Sequence, residues 1–169
     1  MGAKGFNIVE DGAIVTLYNP VDINGLAGAD SPVIVLMQNW VHATIIISIG
    51  ADPRVAGVIT VESIDDTAVS TATEFMFRYY RYNTSQILAN GDVPGALTWT
   101  TTAAAGLIPT ALGVPCMYVI ELDGEELVQG DIGFRLCMVD PAAACVGSAI
   151  AILSGARYAA KGTTNMAVV

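Results

Sequence analysis

The hydrophobic pattern is strongest between Val41 and Gly50, where four isoleucines join Val41 and Thr44 in a nearly continuous β-branched run. β-branched side chains lose χ1 freedom in a helix and pack well on a pleated surface, so this segment is predicted to be a central strand. Alternation divides it into a dry face and a half-polar face. The dry face, which is entirely apolar, consists of Ala43, Ile45, Ile47 and Ile49. The half-polar face consists of His42, Thr44, Ile46 and Ser48. A single dry face predicts a sheet that packs against a second sheet.

Eight further segments have the length and composition of strands and are bounded by Gly, Pro, Asn or Asp. They are residues 13–18, 33–37, 58–64, 75–82, 97–102, 116–122, 134–139 and 148–153. Residues 33–37 are expected to form a hairpin with the central strand. Alternation points Phe77 and Phe134 inward with Ile45 and Ile47, and points Thr60 outward.

The order of these segments shows no β–α–β rhythm and leaves little room for helix. It predicts an all-β protein, an antiparallel β-sandwich of jelly-roll type with extended N- and C-terminal arms. Residues 1–30 are predicted to be an N-terminal arm with a short strand, residues 31–153 the sandwich, and residues 154–169 a C-terminal arm. Frequent glycines interrupt the N-terminal arm, and the C-terminal arm is not expected to fold on its own.

Composition indicates that part of the surface is covered by other molecules. Of the 169 residues, 53% are hydrophobic and 14% are charged, and the mean hydropathy is +0.56. A small soluble monomer with this balance would struggle to cover itself with polar side chains. No apolar run approaches the roughly 20 residues that span a bilayer, so protein subunits are the expected cover. No leader segment is recognised in residues 1–20, and synthesis in the cytosol is expected.

Charge and motifs exclude several functional classes. The net charge of −9 gives no basic stripe for nucleic acid. Nucleotide-binding glycine motifs, a G-x-S-x-G elbow and a calcium-loop pattern are all missing from the sequence, so no cofactor, metal or catalytic residue is predicted. The single histidine, His42, is expected to be a structural hydrogen-bonding residue. The acid pairs Asp65–Asp66 and Glu125–Glu126 are expected to be solvated turns.

The three cysteines, Cys116, Cys137 and Cys145, lack metal-ligand spacing. Buried reduced thiols are the expected state, with a disulfide left open.

One group of side chains is a candidate interface. Tyr79, Tyr80, Arg81 and Tyr82 are consecutive, and tyrosine and arginine are enriched in interface hot spots. Arg157 and Tyr158 in the predicted C-terminal arm are added to this set, because arms of this kind order against a neighbouring subunit. The sequence therefore predicts a self-associating protein.

Several stretches, taken in order, resemble the jelly-roll cement or decoration proteins of tailed-phage heads. They are Asn39–Ile47 with Gly50, Val58–Glu62, Met117–Leu122 with Glu126–Leu127, Phe134–Leu136, and Ile152–Tyr158. The resemblance covers most of residues 33 to 158 and leaves residues 1–30 and 83–113 unmatched. It implies a homotrimer on the capsid exterior, at threefold or quasi-threefold points, which locks neighbouring major capsid protein subunits together. It implies no enzymatic activity.

A second hypothesis for the function is a carbohydrate- or receptor-binding jelly roll, because fold does not determine function. In that case Trp40 or Trp99 would provide a sugar-stacking platform with acids nearby.

Overall fold

The structure, a computed structural model, describes residues 8, 12–23, 33–50, 57–83, 95–103, 106–107, 109, 116–139 and 144–156. Ten β-strands lie in these ranges: β1 Ala13–Asp22, β2 Val35–Leu36, β3 Trp40–Ile49, β4 Ile59–Ile64, β5 Ala72–Glu74, β6 Arg78–Asn83, β7 Thr98–Trp99, β8 Cys116–Asp123, β9 Gly133–Met138 and β10 Val146–Ala156. They form a six-stranded sheet, β1-β10-β3-β8-β6-β7, and a four-stranded sheet, β2-β9-β4-β5. All pairings are antiparallel, and one core joins the sheets, which confirms the predicted all-β sandwich.

The strand β3 lies inside the six-stranded sheet, between β10 and β8. Its inward side chains Ala43, Ile45 and Ile47 are 0% exposed. Its outward side chains, at alternate positions from His42 to Ser48, are partly or fully exposed. The predicted phase of this strand is therefore confirmed, and its half-polar side lies on the outer face of the sandwich.

Aromatic side chains from both sheets fill the centre of the core. Phe77 and Phe134 are 2% and 0% exposed, as alternation predicts. Tyr79 packs edge-on against Tyr118, with ring centroids 6.1 Å apart. The Tyr18 hydroxyl donates a 3.2 Å hydrogen bond to a carbonyl oxygen of β9. Because a buried hydroxyl needs a partner, this bond allows a tyrosine of β1 to reach across the core to the other sheet.

The strand β1 is an edge strand of the sandwich, paired with β10. The sequence predicts that this segment belongs to the arm 1–30, but Val15 and Leu17 are 4% and 3% exposed and are part of the core. Their burial beside β10 explains why the segment joins the sheet. The strand β10 also continues to Ala156, past the boundary predicted at residue 153. Most of both predicted arms lies outside the described residues.

The pairing of β1 with β10 is irregular. Its register shifts between Thr16 and Tyr18 and again between Tyr18 and Val21. Leu17 and Tyr18 are adjacent and yet both buried, which a β-bulge permits. Pro20, which has no N–H to donate, lies in the second irregular stretch.

The connection between β2 and β3 differs from the predicted hairpin. The sequence pairs residues 33–37 with the central strand, but β2 and β3 belong to different sheets. The Trp40 N–H donates to the Met37 carbonyl at 3.1 Å in the turn that carries the chain between them. A short buried run fits the inner face of either sheet, so its pattern does not determine its partner.

The aromatic segment 75–82 is also divided between the sheets. The strand β5 ends at Glu74 in the four-stranded sheet, and β6 begins at Arg78 in the six-stranded sheet. Between them, the Phe77 N–H donates to Thr100 Oγ1 at 3.2 Å, and the Phe77 carbonyl accepts from the Thr100 N–H at 3.1 Å. These two bonds satisfy the backbone of Phe77 where it crosses between the sheets.

Thr60 is 4% exposed, although alternation predicts an exposed position. The reason is a neighbouring segment: Leu107 and Ile59 exchange two backbone hydrogen bonds of 2.8 Å each. This brings Gly106 so close that a Cβ there would lie 2.8 Å from Thr60 Cγ2. The prediction for Thr60 is wrong because a remote loop covers it.

The outer face of the four-stranded sheet is partly covered by the chain itself. Arg135 Nε donates to Glu62 Oε2 across the β4–β9 ladder, where the two residues are paired in register. Their side chains are 15% and 14% exposed. Beside them lies a small second cluster of apolar residues: Ile34, Leu36, Ile64, Val69 and Ile132.

Candidate interface on the outer face of the six-stranded sheet

Three rows of side chains cross the strands at the middle of the outer face of the six-stranded sheet, and a fourth row, Ser154, His42 and Asp123, flanks them at one end. The middle row consists of Thr16, Ile150, Ile46, Val119 and Tyr80. The row on one side consists of Ile14, Ile152, Thr44, Glu121 and Arg78. The row on the other side consists of Ser148, Ser48, Met117 and Tyr82. Apolar side chains of β1, β10, β3, β8 and β6 are therefore neighbours on this face.

The apolar part of this face is termed the apolar band. Its members are Ile14, Ile46, Ile150, Ile152, Met117, Val119, Tyr80 and Tyr82. Ile14 is 57% exposed, and the other members are partly exposed. Contiguous apolar and aromatic side chains at a protein surface are typical of protein-binding sites.

Apart from Asp22, which is paired with Val146 at the end of β1, the ionisable side chains that the structure describes on this face gather in one region, termed the polar corner. Its members are His42, Thr44, Arg78, Glu121, Asp123 and Glu126. The His42 ring lies between two carboxylates, with Nδ1 2.6 Å from Asp123 Oδ1 and Nε2 2.6 Å from Glu121 Oε2. Ionised carboxylates only accept hydrogen bonds, so both ring nitrogens have to donate, which requires the imidazolium. His42 thus bridges β3 and β8, and its protonated form makes charge-assisted bonds to both carboxylates.

The electrostatics agree with this assignment. Burial lowers the pKa of His42, but the hydrogen bonds to Asp123 and Glu121 and the negative charges of both outweigh burial, so the pKa is raised. Thr44 Oγ1 donates a further bond of 2.9 Å to Glu121 Oε2. The histidine that the sequence expects to be a hydrogen-bonding residue therefore makes two charge-assisted bonds.

Arg78 extends the polar corner toward the edge of the sheet. Its Nη2 donates to Glu126 Oε1 at 3.0 Å and lies 3.8 Å from Asp123 Oδ2. The other Glu126 oxygen accepts the Asp123 backbone N–H at 2.9 Å. The guanidinium of Arg78 lies over the Trp99 ring, 5.4 Å from its centroid, in a cation–π contact. One arginine thus joins β6, β7 and the turn after β8.

The four consecutive residues predicted as an interface do not share a face. Tyr80 and Tyr82 point outward and belong to the apolar band. Tyr79 packs against the core. Arg81 is paired in register with the buried Tyr118, and its Nε and Nη2 are buried and have no hydrogen-bond partner among the residues that the structure describes. The structure therefore brings half of this group into the candidate interface.

The two remaining predicted interface residues, Arg157 and Tyr158, lie outside the described residues. Sequence reasoning missed Glu121 and Asp123 as partners of His42. Their spacing of two on an alternating strand is visible in the sequence and places them on one face. Their position opposite His42 depends on the register between β3 and β8, which no local pattern specifies.

Asp66 and Glu126, from the two acid pairs that the sequence predicts to be solvated turns, make hydrogen bonds to nearby groups. Asp66 Oδ1 accepts the N–H groups of Ala68 and Ser70 at 2.9 and 3.1 Å, and Oδ2 accepts the Ser70 hydroxyl at 2.7 Å. The hydrogen bonds from Ser70 lower the pKa of Asp66. Glu126 belongs to the polar corner. These carboxylates stabilise turns in the way that Asp residues commonly do.

The concave surfaces are modest. An apolar cavity of about 20 Å³ lies among Ile49, Ile59 and Met138, and an open polar cleft of about 440 Å³ includes Asn39 and Asp131. In the part of the chain that the structure describes, no group of His, Cys, Asp and Glu is arranged to hold a metal ion. Within the same ranges, no helix is long and apolar enough to cross a membrane.

The chain matches no family model and no curated protein. Among solved structures it is similar to the crystal structure of the SPBc2 prophage-derived protein YomS. The two chains are 12% identical, the match covers 85% of this chain and 94% of YomS, and the TM-score is 0.44. At this level of likeness, the function has to be argued from the residues of this chain.

Proposed function

We propose that this protein is a structural virion protein, a cement or decoration protein of a tailed phage. It is made in the host cytoplasm, sits on the outside of the head as a homotrimer, and clamps neighbouring major capsid protein subunits. The observation that carries the proposal is the partly exposed apolar band, which offers a broad surface for protein contacts. The resemblance of residues 33–158 to such proteins supplies the partner class.

The strand order supports the jelly-roll part of this proposal. Eight of the strands fall into two sets of four, β1-β10-β3-β8 and β2-β9-β4-β5. Two facing four-stranded sheets built from strands that repeatedly cross between them are what a jelly roll requires. In this interpretation, β6 and β7 are an inserted pair of strands that widens the sheet containing β8.

We assign the protein no enzymatic activity. A general-base histidine needs one ring nitrogen that can take a proton from a nucleophile. In His42 both ring nitrogens face carboxylates at 2.6 Å, so the ring is committed to bridging Asp123 and Glu121.

The test is particle composition and binding. The encoding phage is purified, its proteins are identified by mass spectrometry, and the head is imaged at a resolution that resolves trimers. We expect density for this chain outside the capsid at threefold or quasi-threefold positions, and loss of that density when its gene is deleted. Mature particles without the chain, or with the chain only inside the head, would contradict the proposal.

A second candidate function, carbohydrate binding, is favoured by one observation. Trp99 is 54% exposed and lies against Arg78, which is bonded to Glu126, and both of these side chains could hydrogen-bond a sugar. Trp40 is 5% exposed and provides no platform, contrary to the sequence-based alternative. A glycan array probed with the intact protein and with Trp99→Ala decides the matter: specific hits lost in the variant would favour the sugar-binding function, and an array without hits would remove it.

A further inference from the structure

We propose that the apolar band is the surface through which one copy of this chain binds a second copy. The inference rests on the proposed function and deepens it, because it assigns one side of each subunit contact in the trimer to a named face. A threefold contact joins two different patches, so the apolar band of one copy meets another surface of its neighbour. Contacts with the capsid then fall to other surfaces of the protein.

Charge distribution is the first argument for a second copy as the occupant. The chain carries a net charge of −9, so two copies repel one another over most of their surfaces. On this face, however, the ionisable groups of the described residues lie in the polar corner and at Asp22, at the end of β1, and the middle and far rows consist entirely of uncharged side chains. An uncharged face lets acidic copies approach without placing like charges opposite each other.

Area is the second argument. Six strands spaced about 4.8 Å apart make a face about 24 Å wide, and eight residues at about 3.4 Å per residue make it about 27 Å long. The planar area is therefore about 650 Å² before side-chain relief is included. A stable interface buries about 800 Å² on each partner. The planar area of this face is thus of the same order as one subunit contact.

The composition of the band is the third argument. Tyr80 and Tyr82 stand at its β6 side, and the isoleucines of β10 and β3 fill its centre. Rigid aromatic anchors beside β-branched side chains resemble the buried part of a protein interface, where charged groups are depleted. The polar corner then lies at the rim, where ionic groups stay hydrated.

The experiment compares two substitutions of the same kind. Val119→Lys places a charge in the middle row, whereas Val128→Lys makes the same change at a 40% exposed valine in the loop after β8. Self-association is measured by sedimentation velocity from about 1 to 100 µM. We expect the wild type and Val128→Lys to associate alike, and Val119→Lys to associate at least about tenfold more weakly. Far-UV circular dichroism checks that all three are folded.

A second measurement does not depend on disrupting the face. Ser48→Cys lies in the third row, and Thr73→Cys is its exposed counterpart on the other sheet. The native cysteines are buried, so we expect them to react slowly with a maleimide. We expect maleimide labelling of Ser48→Cys to slow as the protein is concentrated into its associated form, with no slowing for Thr73→Cys.

Three outcomes would overturn the inference: a wild type that stays monomeric across this range, a Val119→Lys variant that associates normally, or equal protection at both cysteines. If copies associate through another face but the chain is present on phage heads, the inference fails and the proposed function stands. If the substitution abolishes association but the chain is missing from the particles, the inference stands and the proposed function fails.

Discussion

The imidazole Nε2 of His42 lies 2.6 Å from Oε2 of Glu121, diagonally across the ladder that joins β3 to β8. The other ring nitrogen is equally close to Asp123. This single side chain ties together two central strands of the six-stranded sheet, at the end where the apolar band gives way to charge.

Stability should depend on the protonation of His42. Its pKa is raised in the folded protein, so the stabilisation is fully present below the unfolded pKa of about 6.5 and is lost as the pH rises through the folded pKa. Because the His42 side chain is 30% exposed, solvent screens the pairs, and we expect a contribution of about 1 kcal/mol or less. Thermal unfolding of the wild type and of His42→Gln, at constant ionic strength, measures it.

The difference between these two proteins isolates His42 from the other titrating groups. It should be largest near about pH 6 and shrink toward about pH 9. A constant difference over that range would show that His42 does not titrate in the way the geometry requires.

Removing Phe77 should be costly. Its side chain is 2% exposed at the crossing between the sheets, so Phe77→Ala should lower the free energy of unfolding by about 3 to 5 kcal/mol. Thr73→Ala, at an exposed position of β5, should change it by about 0.5 kcal/mol or less. Urea unfolding measures both, and losses of similar size would mean that Phe77 is not part of a packed core.

The pair of Glu62 and Arg135 is expected to be strongly coupled. Arg135→Met should cost about 3 kcal/mol, because it leaves a largely buried carboxylate without this partner. The double variant Glu62→Met/Arg135→Met should lose much less, since two apolar side chains of similar size replace both charges. A double-mutant cycle by chemical unfolding gives the coupling, and additive losses would exclude it.

Alanine substitutions at Gly106 and Gly130 distinguish the cost of backbone strain from the cost of close packing. Both have positive φ, 49° and 100°, so alanine at either position is strained. A Cβ at Gly130 meets nothing within 4 Å, whereas one at Gly106 collides with the backbone of Ile59 and with Thr60. We expect Gly130→Ala to cost about 1–2 kcal/mol and Gly106→Ala clearly more. Equal melting temperatures for the two variants would refute the close approach.

Deletion of residues 160–169 addresses the predicted C-terminal arm, which lies outside the described residues. The segment has no large apolar pattern of its own, so the melting temperature should change little, whereas trimer contacts or capsid attachment should weaken. Binding of intact and truncated protein to purified heads measures the effect. An unfolded truncated protein would show that the tail belongs to the core.

The sequence predicts the features of this structure that local patterns determine, and it misses those that depend on contacts between segments far apart in the chain. The β3 phase and the inward positions of Phe134 and Phe77 follow from local alternation, which a buried face imposes directly. The pairing of β2, the cover over Thr60 and the carboxylates around His42 depend on contacts between remote segments. Four consecutive residues on one strand cannot share a face, so the predicted group from Tyr79 to Tyr82 was bound to be divided.

The irregular edge strand β1 has a consequence for assembly. A regular exposed edge invites strand addition and leads to open, fibrous growth. Here the register shifts and the missing N–H of Pro20 interrupt the row of donors and acceptors at one edge, and the opposite edge, β7, is two residues long. With blunted edges, the self-association proposed above would run through a face and not through a strand edge, which limits the number of neighbours that one copy can acquire. For the assembly proposed above, this favours a closed oligomer over an aggregate.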